Sequence, residues 1–164
     1  MRLVRATSWI ALAAGVGCTG ATGPDGGFGP AEMRIDGKVQ YRAHTEPSAS
    51  TPGWLATTVY VRGASPGGTS VAYSGCPVTV RMYTQPARTG QPAWDARAVP
   101  NTACTLPLLR RHLGLGEELA LTALTLPREV LGDSLPSGHY YVGAVVRPNG
   151  DSLVVTAGEV DLQP

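Results

Sequence analysis

Apolar and polar residues alternate in short runs from residue 38 to residue 162, and glycine- and proline-rich breaks separate the runs. In KVQYRA (38–43), Val39, Tyr41 and Ala43 share one face. LATTVYV (55–61) sets Leu55, Thr57, Val59 and Val61 against Ala56, Thr58 and Tyr60. CPVTVRMY (76–83) sets Cys76, Val78, Val80 and Met82 against Thr79, Arg81 and Tyr83. A period of two is the signature of a strand with one face buried, so each run is predicted as a strand, with another over 70–73. Residues 84–104 carry Pro86, Gly90, Pro92 and Pro100, which leave room for one short strand at most.

Farther along, LPLLRRHLGL (106–115) has leucines at 106, 109 and 113, a partly helical spacing, but Gly114 and Gly116 cut it to a single turn or a short strand. ELALTALTL (118–126) alternates Leu119, Leu121, Ala123 and Thr125 with Ala120, Thr122, Leu124 and Leu126. Between Gly116 and Pro127, that alternation favours strand over helix. GHYYVGAVV, RPNGD and SLVVTAGEVDL follow one another. They predict a hairpin with Asn149-Gly150 in its loop, since Asn-Gly supplies the left-handed backbone that tight turns require. Seven or eight strands about ten residues apart predict an all-β, antiparallel sandwich.

The chain before residue 38 has another character. Arg2 and Arg5 precede a short apolar run from Trp9 to Val16, and small residues lead to Cys18. This is the layout of a secretion signal; the run is shorter than the about 20 residues that a membrane-crossing helix needs. Residues 1–17 are therefore predicted as a signal peptide. Arginines, an apolar run, small residues and then cysteine resemble the lipobox of bacterial lipoproteins, in which the cysteine thiol is acylated and becomes the new N-terminus. Gly15 stands where the usual pattern has leucine. Residues 18–31 are Cys18 followed by TGATGPDGGFGP (19–30) and Ala31, the composition of a flexible tether. The sandwich is assigned to residues 32–164. Lipidation of Cys18 would leave an even pair, Cys76 and Cys104, and so account for the odd cysteine of an exported protein; the pair is predicted to form a disulfide. The rival use of cysteines, metal ligation, finds no C-x-x-C, and His44, His112 and His139 are scattered.

Composition narrows the range of functions. The chain has 164 residues, 21 of them Gly and 14 Pro, and a net charge of +1. Without residues 1–17 there are eleven basic against twelve acidic residues, with no basic run to displace counterions from a nucleic acid. Arg110, Arg111 and His112 read as a solvated turn. Ser137 and His139 flank a glycine at a turn, and the neighbours Glu117 and Glu118 point apart if extended; neither makes a catalytic pair. The motifs of nucleophile elbows, zinc peptidases and phosphate-binding loops are absent. The expectation is a protein without catalytic residues, metal or cofactor. Trp94, near the predicted disulfide, is expected in the core, and Trp54 is a candidate ligand contact.

Tyr140, preceded by LPSGH, resembles the tyrosine that opens a late strand in immunoglobulin-like sandwiches and ties the preceding corner through its hydroxyl. Over residues 55–162, roughly two thirds of the chain, the order of turns and core positions is similar to the BsuPI-like domains, named after an intracellular proteinase inhibitor of Bacillus. The carrying residues are a strand before a polar turn (Thr58 to Ser65), Gly75 with Val78, Val80 and Tyr83, then Gly90 and Trp94, Gly116 and Glu117, and Gly138 and Tyr140. Arg62-Gly63-Ala64-Ser65 stands where that family has a polar Asn-x-Ser turn, and the namesake lacks an export signal. The resemblance implies an immunoglobulin-like sandwich and raises proteinase inhibition as an activity, without naming an inhibitory loop. The functional expectation is an interaction or structural module, anchored to the bacterial envelope membrane by lipid on Cys18, with an envelope protein or protease as partner; the alternatives are proteinase inhibition and glycan or small-ligand binding.

Overall fold

The computed structural model describes residues 34–73, 75–98, 108–127 and 135–162. The predicted signal peptide and tether, Cys18 and Cys104 lie outside them. Ten strands run through the described residues: β1 (Arg34–Asp36), β2 (Val39–Pro47), β3 (Trp54–Gly63), β4 (Thr69–Tyr73), β5 (Val78–Tyr83), β6 (Trp94–Asp95), β7 (Leu109–Leu113), β8 (Glu118–Pro127), β9 (Gly138–Val146) and β10 (Leu153–Leu162). Eight of them have five residues or more, and β1 and β6 are short additions at sheet edges. Residues 118–127 are strand, and 106–115 contains the short strand β7.

Two four-stranded antiparallel sheets, in the orders β1-β2-β3-β8 and β10-β9-β5-β6, pack face to face. With β2 as the first strand of an immunoglobulin domain, the first sheet reads A-B-E and the second G-F-C-C′, so the protein is an immunoglobulin-like sandwich. The alternation read from the sequence aims the core. Val39 and Tyr41 of β2, Leu55, Val59 and Val61 of β3, and Leu121 of β8 meet Val78, Val80 and Met82 of β5, Val142 and Ala144 of β9, and Val155 of β10. Trp94 is paired with Met82 and buried in the same core. The Tyr140 hydroxyl donates to the Pro136 carbonyl oxygen at 2.8 Å, which is the predicted tyrosine corner.

The departure from the standard topology is at β7, in the position of strand D, which pairs with β4 instead of β8. The β3–β8 ladder ends at Arg62↔Glu118 and resumes as β4–β7 at Thr69↔Leu113. At the corner between the two ladders, the Gly63 N–H donates to the Glu117 carbonyl at 2.9 Å and the Gly116 N–H to the Gly63 carbonyl at 2.8 Å. Beyond it, Val71, Tyr73 and Leu113 fold into the common core and close one end of the sandwich. Arg110, Arg111 and His112 are thus strand residues rather than the turn predicted from their composition; they are exposed as expected. Sequence reading also missed β1. Asp36-Gly37 was the available signal, because Gly37 opens a two-residue loop at φ 56°, a backbone that glycine adopts without strain. The predicted β9–β10 hairpin is present. Its loop spans 147–152 and contains a 3₁₀ turn over Pro148–Gly150, with Asn149 and Gly150 at φ 52° and 96°.

Candidate interaction surface

The outward face of the second sheet carries a group of charged and aromatic side chains that the core does not use. Strand alternation puts Thr79, Arg81 and Tyr83 of β5 there, and the register sets them opposite Val145, Gly143 and Tyr141 of β9. A Cβ on Gly143 would lie 2.9 Å from Cε2 of Tyr83 and 3.0 Å from Cγ1 of Val154, so this glycine lets the Tyr83 ring lie flat across the strand.

At one end of the face, His139 stands between two carboxylates of β10. Its Nδ1 is 2.7 Å from Oδ1 of Asp161 and its Nε2 is 3.1 Å from Oε2 of Glu159. The ring also meets Tyr141 edge-on, with centroids 5.0 Å apart. The hydrogen bond to Asp161 raises the imidazole pKa above its usual value; slight desolvation opposes it, and the charges of Asp161 and Glu159 add to it. Because the two carboxylates bond opposite edges of the ring, they do not converge on a common point, and no group of three metal-ligating side chains occurs among the described residues. The arrangement is a cross-strand clamp that works best with both nitrogens protonated. Its contribution is complete below the unfolded-state pKa of about 6.5 and is lost as pH rises through the elevated folded-state value. Asp161→Asn should therefore lower the His139 midpoint in an NMR titration, and Glu159→Gln should lower it less. An unmoved midpoint in Asp161→Asn would show that the bond does not form in solution.

Arg88, from the loop after β5, secures the same region. The β9–β10 ladder shifts register between Thr156 and Glu159, where Gly158 has φ 99°. Across this bulge, Arg88 Nε donates to the Val142 carbonyl at 2.9 Å and Nη2 to the Gly158 carbonyl at 3.0 Å, and the guanidinium lies 5.4 Å from the Tyr141 ring centroid. Gly158 inside a strand pattern signalled the bulge. Nothing local in QPARTGQP (85–92) pointed to Arg88. Farther along the face, Arg81 Nε donates to Oδ2 of Asp95 at 2.8 Å, and the Arg97 backbone N–H donates to Oδ1 of Asp95 at 3.0 Å.

The residues singled out from sequence do not converge on this face. Trp54 begins β3, half-buried, with its backbone paired to Pro127. Cys76 is half-buried just before β5, and Cys104, its predicted disulfide partner, lies outside the described residues. Glu117 Oε2 accepts the Gly114 N–H at 3.0 Å, closing the turn before β8, and Glu118 pairs with Arg42 at 3.5 Å; the two glutamates serve separate structural ends. No family model matches the chain, and no curated protein is significantly similar to it.

Proposed function

We propose that this chain is an exported lipoprotein of the bacterial cell envelope, held to a membrane by lipid on Cys18, and that its immunoglobulin-like sandwich is a non-catalytic interaction module. The observation that carries the reading is the sequence from Arg2 to Cys18 followed by the glycine-rich tract to residue 31: a charged start, a short apolar run, a cysteine at its end and a tether behind it. A disulfide between Cys76 and Cys104, the even pair left once Cys18 is acylated, belongs to the same reading, because structural disulfides persist in oxidising compartments such as the periplasm. In this reading the tether presents the sandwich away from the bilayer, and the outward face of the second sheet, with its arginines, tyrosines and histidine, is the contact surface. The tyrosine corner and strand order favour the immunoglobulin-like half of the BsuPI-like resemblance; proteinase inhibition has only the resemblance behind it and stands second.

The test is expression of the full chain in a Gram-negative host, with and without Cys18→Ala, followed by intact-mass measurement and membrane fractionation. The unsubstituted chain should fractionate with membranes and carry a diacylglycerol-sized mass increase, and the Cys18→Ala chain should lose both. An unsubstituted chain that is soluble, unmodified and bears a free thiol at Cys18 would overturn the anchor and move ligand or protease binding by a free secreted protein to first place.

A further inference from the structure

We infer that the outer edge of β8 is a self-association site, where a second copy of this chain adds its own β8 antiparallel about a twofold axis at Thr122 and joins the two first sheets into one of eight strands. The displacement of β7 vacates this edge. In an immunoglobulin sandwich strand D lies beside strand E, whereas here β7, in the D position, pairs with β4, and β8 ends the order β1-β2-β3-β8. Among the described residues, no backbone bond joins 119–125 to any strand but β3. Open sheet edges invite pairing, and proteins blunt them with brevity, charge, proline or a bulge. The other edges have such devices. β1 has three residues, Arg34 and Asp36 among them, and β6 has two; β10 carries the bulge at Gly158, with Glu159 and Asp161 beyond it. From 119 to 126, β8 reads LALTALTL, without charge, proline or glycine, and its register against β3 is unbroken from Leu119 to Thr125. The exposed apolar side chains give a second, independent sign. Leu108, Leu115 and Leu124, 50%, 64% and 49% exposed, are the exposed large hydrophobic residues among those described, and they lie just before β7, in the turn after it and on β8.

The sequence of β8 is complementary to itself about that axis, which selects a second copy over a foreign strand. With Thr122 opposite its own twin, the exposed Leu124 of each copy faces Ala120 of the other, Leu121 faces Ala123, and Leu119 faces Thr125, so a large side chain meets a smaller one along both faces. The faces match as well: the exposed Ala120, Thr122 and Leu124 continue one outer surface, and the buried or half-buried Leu119, Leu121, Ala123 and Thr125 continue the core side. The Thr122 hydroxyl, 3.0 Å from that of Thr58, extends the same hydroxyl row across the axis. A foreign strand would gain the backbone bonds without this fit. One strand edge is smaller than the about 1,200–2,000 Å² of stable complexes, so the dimer is weak, with a dissociation constant between about 1 µM and about 1 mM. The test is sedimentation velocity across that range on the full chain carrying Cys18→Ala, so that no lipid brings copies together. A monomer–dimer equilibrium is expected. It should be at least tenfold weaker in Thr122→Lys, which opposes like charges at the axis, and unchanged in Thr58→Val, which breaks the same hydroxyl bond and leaves the edge uncharged. Thr122 is exposed, so the lysine does not burden the fold. Oxidative cross-linking with mass mapping of the linked peptides reads the register. Thiols introduced by Thr122→Cys stand directly opposite each other, within the about 4.4–6.8 Å Cα separation of a disulfide. Those of Ala120→Cys are offset by four residues, about 13 Å along the strand. Thr122→Cys should link to itself at least tenfold more than Ala120→Cys does, and Ala120→Cys should link to Leu124→Cys when the two are mixed. A monomer throughout the range would overturn self-association and leave the edge to a foreign strand. Association unchanged in Thr122→Lys, or equal self-linking at positions 120 and 122, would overturn this edge as the interface. The site lies on the first sheet and its test uses a chain without the anchor, so failure here is separable from failure of the proposed function.

Discussion

Gly63→Ala should destabilise the protein by about 1–3 kcal/mol, the usual cost of forcing a group into a packed site, while Gly67→Ala, four residues on, should be neutral or slightly stabilising. A Cβ on Gly63 would overlap the Gly114 carbonyl oxygen and stand 3.1 Å from the Leu113 oxygen and 3.2 Å from the Gly114 carbon. All three are backbone atoms, so no rotamer change relieves the contact. The strand pair β3–β8 would have to separate where it hands over to β4–β7, loosening the hydrogen bonds of Gly63 with Glu117 and Gly116 and drawing Val71, Tyr73 and Leu113 from the core. At Gly67 the same Cβ meets nothing within 4 Å. There alanine acts mainly by narrowing the unfolded ensemble, a gain of about 0.4–1 kcal/mol where the backbone is compatible. Urea denaturation of both variants separates the effects: the midpoint should fall for Gly63→Ala at unchanged slope and hold or rise for Gly67→Ala. Equal midpoints would mean that the two backbones do not approach as closely as described.

That corner also marks the limit of what the sequence makes legible. Leu55, Thr57, Val59 and Val61, or Val78, Val80 and Met82, declare their buried side through a period of two, because a strand covered on one face must alternate. Tyr140 and Asn149-Gly150 are equally legible, since each acts within a few residues of itself. Gly63 and Gly114 give no such sign. Each reads as an ordinary turn glycine, and the need for both arises from contact between segments about fifty positions apart. The candidate surface is hidden for the same reason. Arg81 and Asp95 sit among neutral neighbours, and only the β5–β6 register pairs them. His139 reads as a turn residue until β10 brings Glu159 and Asp161 to either side. Charge runs along a chain reveal linear basic tracks, whereas a sheet builds its charged clusters across strands.

The proposed Cys76–Cys104 disulfide should contribute about 3 to 4 kcal/mol, because it closes a loop of about thirty residues in the unfolded chain. Against a typical domain stability of about 5–15 kcal/mol, this is a large share for a protein with one phenylalanine and three tryptophans. Cys76 lies immediately before β5, whose Val78, Val80 and Met82 form the middle of the core, so the crosslink would tether the chain that follows β6 to the central strand of the second sheet. Cys104→Ser should lower the denaturation midpoint under oxidising conditions, and a reducing agent should lower that of the unsubstituted chain to match while leaving Cys104→Ser unmoved. Non-reducing peptide mapping decides the partner. A Cys76–Cys104 peptide supports both the pairing and the anchor. A Cys76–Cys18 peptide would refute both together, because a thiol committed to a disulfide is not open to acylation.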